Sequence, residues 1–186
     1  MSLLDIYLLG APILRQDTTV IAAVTDEHRR LIDDMFETMY AAKGIGLAAP
    51  QVGRTERVAV VDVAHHPFAI VNPEIVLREG TQRGEEGCLS IPEIYGEVDR
   101  AARVVVRALD RDGGPIEIDA TELEARCLQH EIDHLHGKLF IDYLGLVKRR
   151  AALAKWEKLR AGDKSLTRTV TPREVAKHHH GGDEEL

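Results

Sequence analysis

The sequence predicts an α+β fold: short antiparallel β-strands packed around a central helix that carries two histidines, with a helix before it and another outside it at the C-terminal end. Two observations predict it. Helix-period apolar patterns occupy 26–42, 121–135 and 147–160, while the stretch between the first two breaks into short β-branched runs bounded by turn residues. A chain of 186 residues suits one domain, here assigned to residues 1–162. Residues 163–186 are polar, with too little apolar surface to offset the entropy of ordering, and are expected to be a disordered tail.

From Asp26 to Ala42, Leu31, Ile32, Met35, Phe36, Met39 and Tyr40 mark one apolar face, with Gly44 as a stop. Gly44 to Gly53 holds three glycines and a proline and reads as a loop whose backbone can be closely approached; it lacks the Lys-Ser/Thr ending of a phosphate loop. Strands are expected at Arg57–Val63, Ala69–Val71, Arg103–Leu109 and Ile116–Asp119. The turn residues Asp110 to Gly114 make the last two a hairpin. Thr121 and Glu124 have capping-box spacing and open a helix that runs through Cys127, His130, Glu131 and His134 to a stop at Gly137. The last helix, from about Val147 to Arg160, mixes Leu153 and Trp156 with Lys148, Arg149, Arg150, Lys155 and Lys158, and reads as a basic, partly exposed face.

Charge and cysteine usage narrow the classes. A net charge of −7 argues against nucleic-acid binding as the main activity, DNA included, because neutralising phosphates needs an excess of Lys and Arg. Two cysteines, Cys88 and Cys127, cannot form a disulfide framework, which points to a reducing, cytoplasmic setting. No stretch reads as a signal peptide, and no apolar run approaches the roughly 20 residues of a membrane span.

The chemistry concentrates at His130-Glu131-Ile132-Asp133-His134. At about 100° per residue, two histidines four apart stand roughly 40° from one another on one helix face, where they can chelate one ion. Glu131 falls on the flank of that face, suited to exchanging a proton with a water whose pKa a metal lowers to about 7. The run Glu85-Glu86-Gly87-Cys88-Leu89-Ser90 offers a thiol as third ligand, and three protein ligands with an open fourth position is the usual catalytic arrangement. A thiolate with two imidazoles suits iron, zinc, nickel or cobalt. A zinc endopeptidase with the same helix motif would draw its third ligand from downstream, whereas Cys88 lies upstream.

Gly44-x-Gly46-Leu47-Ala48-Ala49-x-Gln51, Glu86-Gly87-Cys88-Leu89-Ser90 and Gln129-His130-Glu131-x-Asp133-His134, in this order, resemble the three signature motifs of peptide deformylase. The resemblance covers roughly residues 3–160. It implies removal of the formyl group from N-formylmethionine at the start of new polypeptides, one divalent metal ion per chain held by Cys88, His130 and His134, and Fe(II) as the physiological metal. Glu131 would be the general acid/base, with the Gln51 amide and the Leu89 backbone N–H donating to the oxyanion. The methionine side chain would enter a pocket near Ile45, Leu123, Cys127 and His130, while backbone groups of Ile45, Gly46 and Gly87 pair with an extended peptide. Arg100 would pair with Asp133 as structural support. Arg126 stands where some members carry an apolar residue, so either its stem lines the pocket or the helix turns it to solvent. The basic C-terminal helix suggests a transient ribosome contact, and His178, His179 and His180 lack the fixed geometry of a metal site.

Overall fold

The computed structural model describes residues 2–171. Its centre is a five-stranded antiparallel sheet in the order β2 (Gly46–Ala48), β3 (Val58–Val63), β4 (His66–Glu79), β7 (Arg103–Leu109) and β8 (Pro115–Thr121). Period-two alternation along β3 sorts its side chains between the two faces. Val58 and Val60 join Met35, Met39 and Leu47 beneath α1 (Asp26–Ala41), whereas Ala59 and Val61 join Ala125, Leu128 and Ile132 of α2 (Glu122–Leu135). The sheet is therefore the wall between two apolar layers, and α2 is enclosed enough to hold its histidines away from water.

A separate hairpin, β5 (Gln82–Glu86) with β6 (Gly96–Arg100), carries the cysteine segment in its connection. Cys88, Ile91, Ile94 and Val98 share a third apolar cluster with Leu8, Phe140, Ile141 and Trp156, the last from α3 (Leu146–Leu159). Trp156 is the buried residue of α3; Leu146 and Val147 at its start are 67% and 80% exposed.

Four local expectations change. The segment expected as a loop from Gly44 to Gly53 is strand β2 followed by a 3-10 turn at Ala49–Val52. The left-handed residue that ends α1 is Lys43 (φ 62°), and Gly44 serves a different purpose: a Cβ there would lie 2.6 Å from the Leu89 side chain. Strand β4 does not stop at Val71 but continues through a register shift at Asn72 and Pro73. Thr121 occupies the N-cap position of α2 without a side-chain capping bond, and Glu124 instead lies 3.3 Å from His66 Nδ1.

The boundary at residue 162 is also too early. Thr167–Arg168 forms β9, which pairs with β1 (Ile6–Tyr7), and Val170 is buried against the α1 cluster. The rest of the expected tail, 172–186 with the triple histidine, lies outside the described residues.

Candidate active site

Three segments meet behind β2. The connection after β5 brings Cys88, α2 brings His130 and His134, and the turn after β2 brings Gln51, all of them buried. The ligand atoms of Cys88, His130 and His134 all lie within 4.8 Å of one another. Cys88 Sγ is 3.3 Å from His134 Nε2, which is 3.2 Å from His130 Nε2.

These residues fit a metal ion. Two nitrogens and a sulfur at tetrahedral bond lengths around one cation stand about 3.3 Å (N to N) and about 3.6 Å (N to S) apart, close to the distances found. The field also favours positive charge there: burial opposes protonation of His130, yet its contacts with Cys88 and Glu86 hold its pKa well above the ordinary histidine value. His134 goes the other way. Burial, reinforced by His130 and Arg100, lowers its pKa, leaving a neutral ring with a lone pair to offer. The donor set does not by itself select one metal.

Glu86 fixes the direction of the first histidine. Its Oε2 lies 3.0 Å from His130 Nδ1, so a neutral ring that donates there presents the lone pair of Nε2 to Cys88 and His134. Glu86 is itself held by Arg100, through Nε to Oε1 (2.8 Å) and Nη2 to Oε2 (3.0 Å). Burial alone would raise the Glu86 pKa; Arg100 and His130 outweigh it and hold the group well below the carboxylate range. Arg100 Nη1 also reaches Asp133 Oδ2 at 2.5 Å, and its guanidinium stacks 4.4 Å over the Tyr143 ring.

Arg126 is not turned to solvent. It is buried, with Nη1 donating to Glu86 Oε1 (2.8 Å) and to the Val98 carbonyl (3.0 Å), and Nη2 to the Gln82 carbonyl (3.2 Å). Sequence reasoning missed this pairing, and with it Glu86 as a site residue; an acidic residue two positions before a ligand cysteine was the available signal.

Glu131 sits beside the three donors in a space made by glycine. A Cβ on Gly46 would lie 2.2 Å from Glu131 Oε1, so any larger residue at 46 would displace the carboxylate. The other oxygen, Oε2, is buried without a protein partner. Burial pushes the Glu131 pKa up to about 7, where a carboxyl group can both give and take a proton near neutral pH. Gln51 is oriented by its own turn: Oε1 accepts from the Ala48 N–H (2.8 Å), which leaves Nε2 to face Ser90 Oγ (3.2 Å) and Cys88 Sγ (3.5 Å).

The remaining residues singled out in the sequence fall around this centre. Gly87 and Leu89 are buried on either side of Cys88. The Ile45 carbonyl already accepts from the Asp62 N–H (2.8 Å) and from Cys127 Sγ (3.6 Å). Cys127 is fully buried, while Leu123, one turn earlier on the same helix face, is 39% exposed. Strand β2 is an edge of its sheet.

Residues 3–150 match the family model described as "Polypeptide deformylase". The chain is 54% identical over 163 residues to the peptide deformylase of Alkalilimnicola ehrlichii, covering 86% of this chain and 92% of the relative. It is 52% identical over 161 residues to that of Hydrogenovibrio crunogenus, covering 85% and 95%. The crystal structure of a peptide deformylase from Legionella pneumophila superposes with a TM-score of 0.82 at 46% identity, covering 86% of this chain and 96% of that one. One from Ehrlichia chaffeensis in complex with actinonin gives 0.83 at 39% identity, covering 87% and 99%. With the family model spanning most of the chain and relatives this similar aligned nearly end to end, the chain belongs to the peptide deformylase family.

Proposed function

We infer that this enzyme removes the N-formyl group from N-formylmethionine of newly synthesised polypeptides, as a metal-dependent hydrolase that releases formate. The observation that carries the reading is the convergence of Cys88, His130 and His134 beside a buried carboxylate pushed up to about 7. These three residues would hold the metal, Fe(II) in the cell, with zinc, nickel or cobalt as substitutes. When bound, the ion acidifies water and polarises the formyl carbonyl.

The protein's own groups do the rest. Water adds to the formyl carbon; Glu131 takes its proton and passes it to the leaving amine as the C–N bond breaks, giving formate and a free methionyl amine. The oxyanion developing on the formyl oxygen is met by Gln51 Nε2, whose direction the Ala48 N–H fixes in advance, and by the Leu89 backbone N–H. A formyl carbon bears only hydrogen, so the tight space between Gln51, Cys88 and Leu89 excludes acetyl and larger groups.

The peptide lies extended along the free edge of β2, pairing with backbone groups of Ile45, Gly46 and Gly87. With the Ile45 carbonyl engaged by Asp62, its N–H is the group left for the substrate. Leu123, Cys127 and His130 follow one another on one stripe of α2 and line the methionine pocket, Leu123 at its rim. Asp133 and Arg100 support the ligand helix. The enzyme works in the cytoplasm, where nascent chains are presented, and the basic face of α3 makes a transient contact with the ribosome. Among the described residues no helix is long and apolar enough to cross a membrane.

Formate release from a formyl-methionyl peptide, with and without chelator, tests the reading. Chelator-sensitive release from the formyl peptide and none of acetate from its acetyl counterpart is the expected result. Release that persists without metal, or equal turnover of both peptides, overturns it.

A further inference from the structure

Arg126 is an odd residue to bury if its task were only to pack. Its side chain is 5% exposed, and a guanidinium taken out of water is costly unless a charge meets it. The charge it meets is Glu86, which is fully buried and already held at two points by Arg100. Arg100 in turn shares its charge with Asp133. Without Arg126, that trio carries a net charge of −1 next to His130; with it, the network is neutral.

Position adds to charge. Arg126 precedes His130 by one helical turn, and Glu86 precedes Cys88 by two residues. The bond from Arg126 Nη1 to Glu86 Oε1 (2.8 Å) therefore ties the two segments that supply the ligand atoms, while the other oxygen of the same carboxylate holds His130 Nδ1 (3.0 Å). The remaining Arg126 donors go to the carbonyls of Gln82, Gly84 and Val98, which pin the guanidinium to the β5–β6 hairpin rather than to α2.

We propose that Arg126 is a positioning residue of the metal centre: by clamping Glu86 from the side opposite His130, it holds the imidazole on line and keeps the ion bound. The proposal rests on the metal-site reading above and deepens it. Partners that orient a metal-ligating histidine typically account for about 10- to 100-fold in metal affinity. Acting one residue further out, Arg126 is expected at the lower end.

The test follows metal retention rather than turnover. Parent and variants are loaded with Co(II) and moved into excess chelator, and release is read from the decay of the thiolate-to-cobalt absorption. Arg126→Met should release Co(II) about tenfold faster than the parent, with a displaced absorption band. Arg126→Lys, which keeps the charge but not the fork, should fall between. Gln129→Met is the control for general loosening, because Gln129 ties α2 to Ala101 without touching Glu86. It should lower thermal stability at an unchanged release rate. Parental release from both Arg126 variants overturns the proposal, and so does equal acceleration by Gln129→Met. If Arg126→Met does not fold, Arg126→Lys decides by itself, parental release again counting against. A parent that retains no Co(II) at all overturns the metal-site reading instead, so the two failures are distinct.

Discussion

Substituting Gly46 by alanine tests how closely the Glu131 carboxylate, proposed above as the acid/base, is placed. The new Cβ would start 2.2 Å from Glu131 Oε1, 2.7 Å from its Cδ and 2.9 Å from its Cγ, against 3.4 Å for ordinary contact, so the carboxylate must retreat by about 1.2 Å. The strand cannot give way instead, because Gly46 is paired with Val61 in the β2–β3 ladder. The obstruction is a side chain and not backbone, so folding should survive and the change should fall on catalysis. A displacement of about 1 Å in a reacting group costs about 100-fold in rate, or about 2.7 kcal/mol of barrier. The assay is kcat for formate release, with metal content and thermal midpoint measured on the same preparations. A Gly46→Ala enzyme with parental kcat and full metal would refute the reasoning, since it would mean that Glu131 works equally well from elsewhere.

Three further outcomes follow from the same geometry. Gln51→Leu should lower kcat by about 10²- to 10³-fold with the metal retained, because it removes an oriented donor; a change in KM alone would assign Gln51 to binding. Arg100→Leu leaves Glu86 and Asp133 without their shared cation and should destabilise the protein by about 3–5 kcal/mol in urea unfolding, so an unchanged midpoint would contradict the buried network. Asp142 is partly buried, which raises its pKa, but the Arg15 pair and the Leu139 N–H outweigh this and lower it. A depressed carboxylate stabilises above its unfolded pKa and loses that contribution as pH falls through the folded one. Asp142→Asn should therefore be less stable than the parent at neutral pH. The gap should narrow below the ordinary aspartate value of 3.8; a gap that persists there would point to packing.

The parts of this molecule legible in the sequence are those whose signal is local. Helix α1 was readable because six apolar side chains recur on one face, and the ligand pair because four residues on a helix bring two side chains to one side. Cys88 is distant in sequence, yet the glycine before it and the motif around it marked it. The β5–β6 hairpin was not legible: Gln82 to Glu86 is polar throughout, since the role of this strand is to carry Glu86 inward and receive Arg126, not to bury an apolar face. Strand β4 was cut short for a different reason. Asn72-Pro73 has the chemistry of a turn, but the Asn72 amide pairs with both backbone groups of Ile21 (2.9 and 2.8 Å), which holds the irregularity in place while the strand goes on. The partner of Arg126 is set by tertiary placement alone.

The pairing of β1 with β9 makes the two ends of the described chain depend on each other. Leu8 donates to the carbonyl of Leu166, and its neighbour Leu9 donates to the carbonyl of Ser90, two residues past Cys88. The thiol is therefore braced by a strip of backbone that stays incomplete until Thr167 and Arg168 dock. A protein shortened after α3 would retain Gln51, Cys88, His130, Glu131 and His134 and still lose the seam behind Cys88. An enzyme that acts on the first residue of other chains thus has the segment around its own Cys88 braced through a strand that follows its last helix.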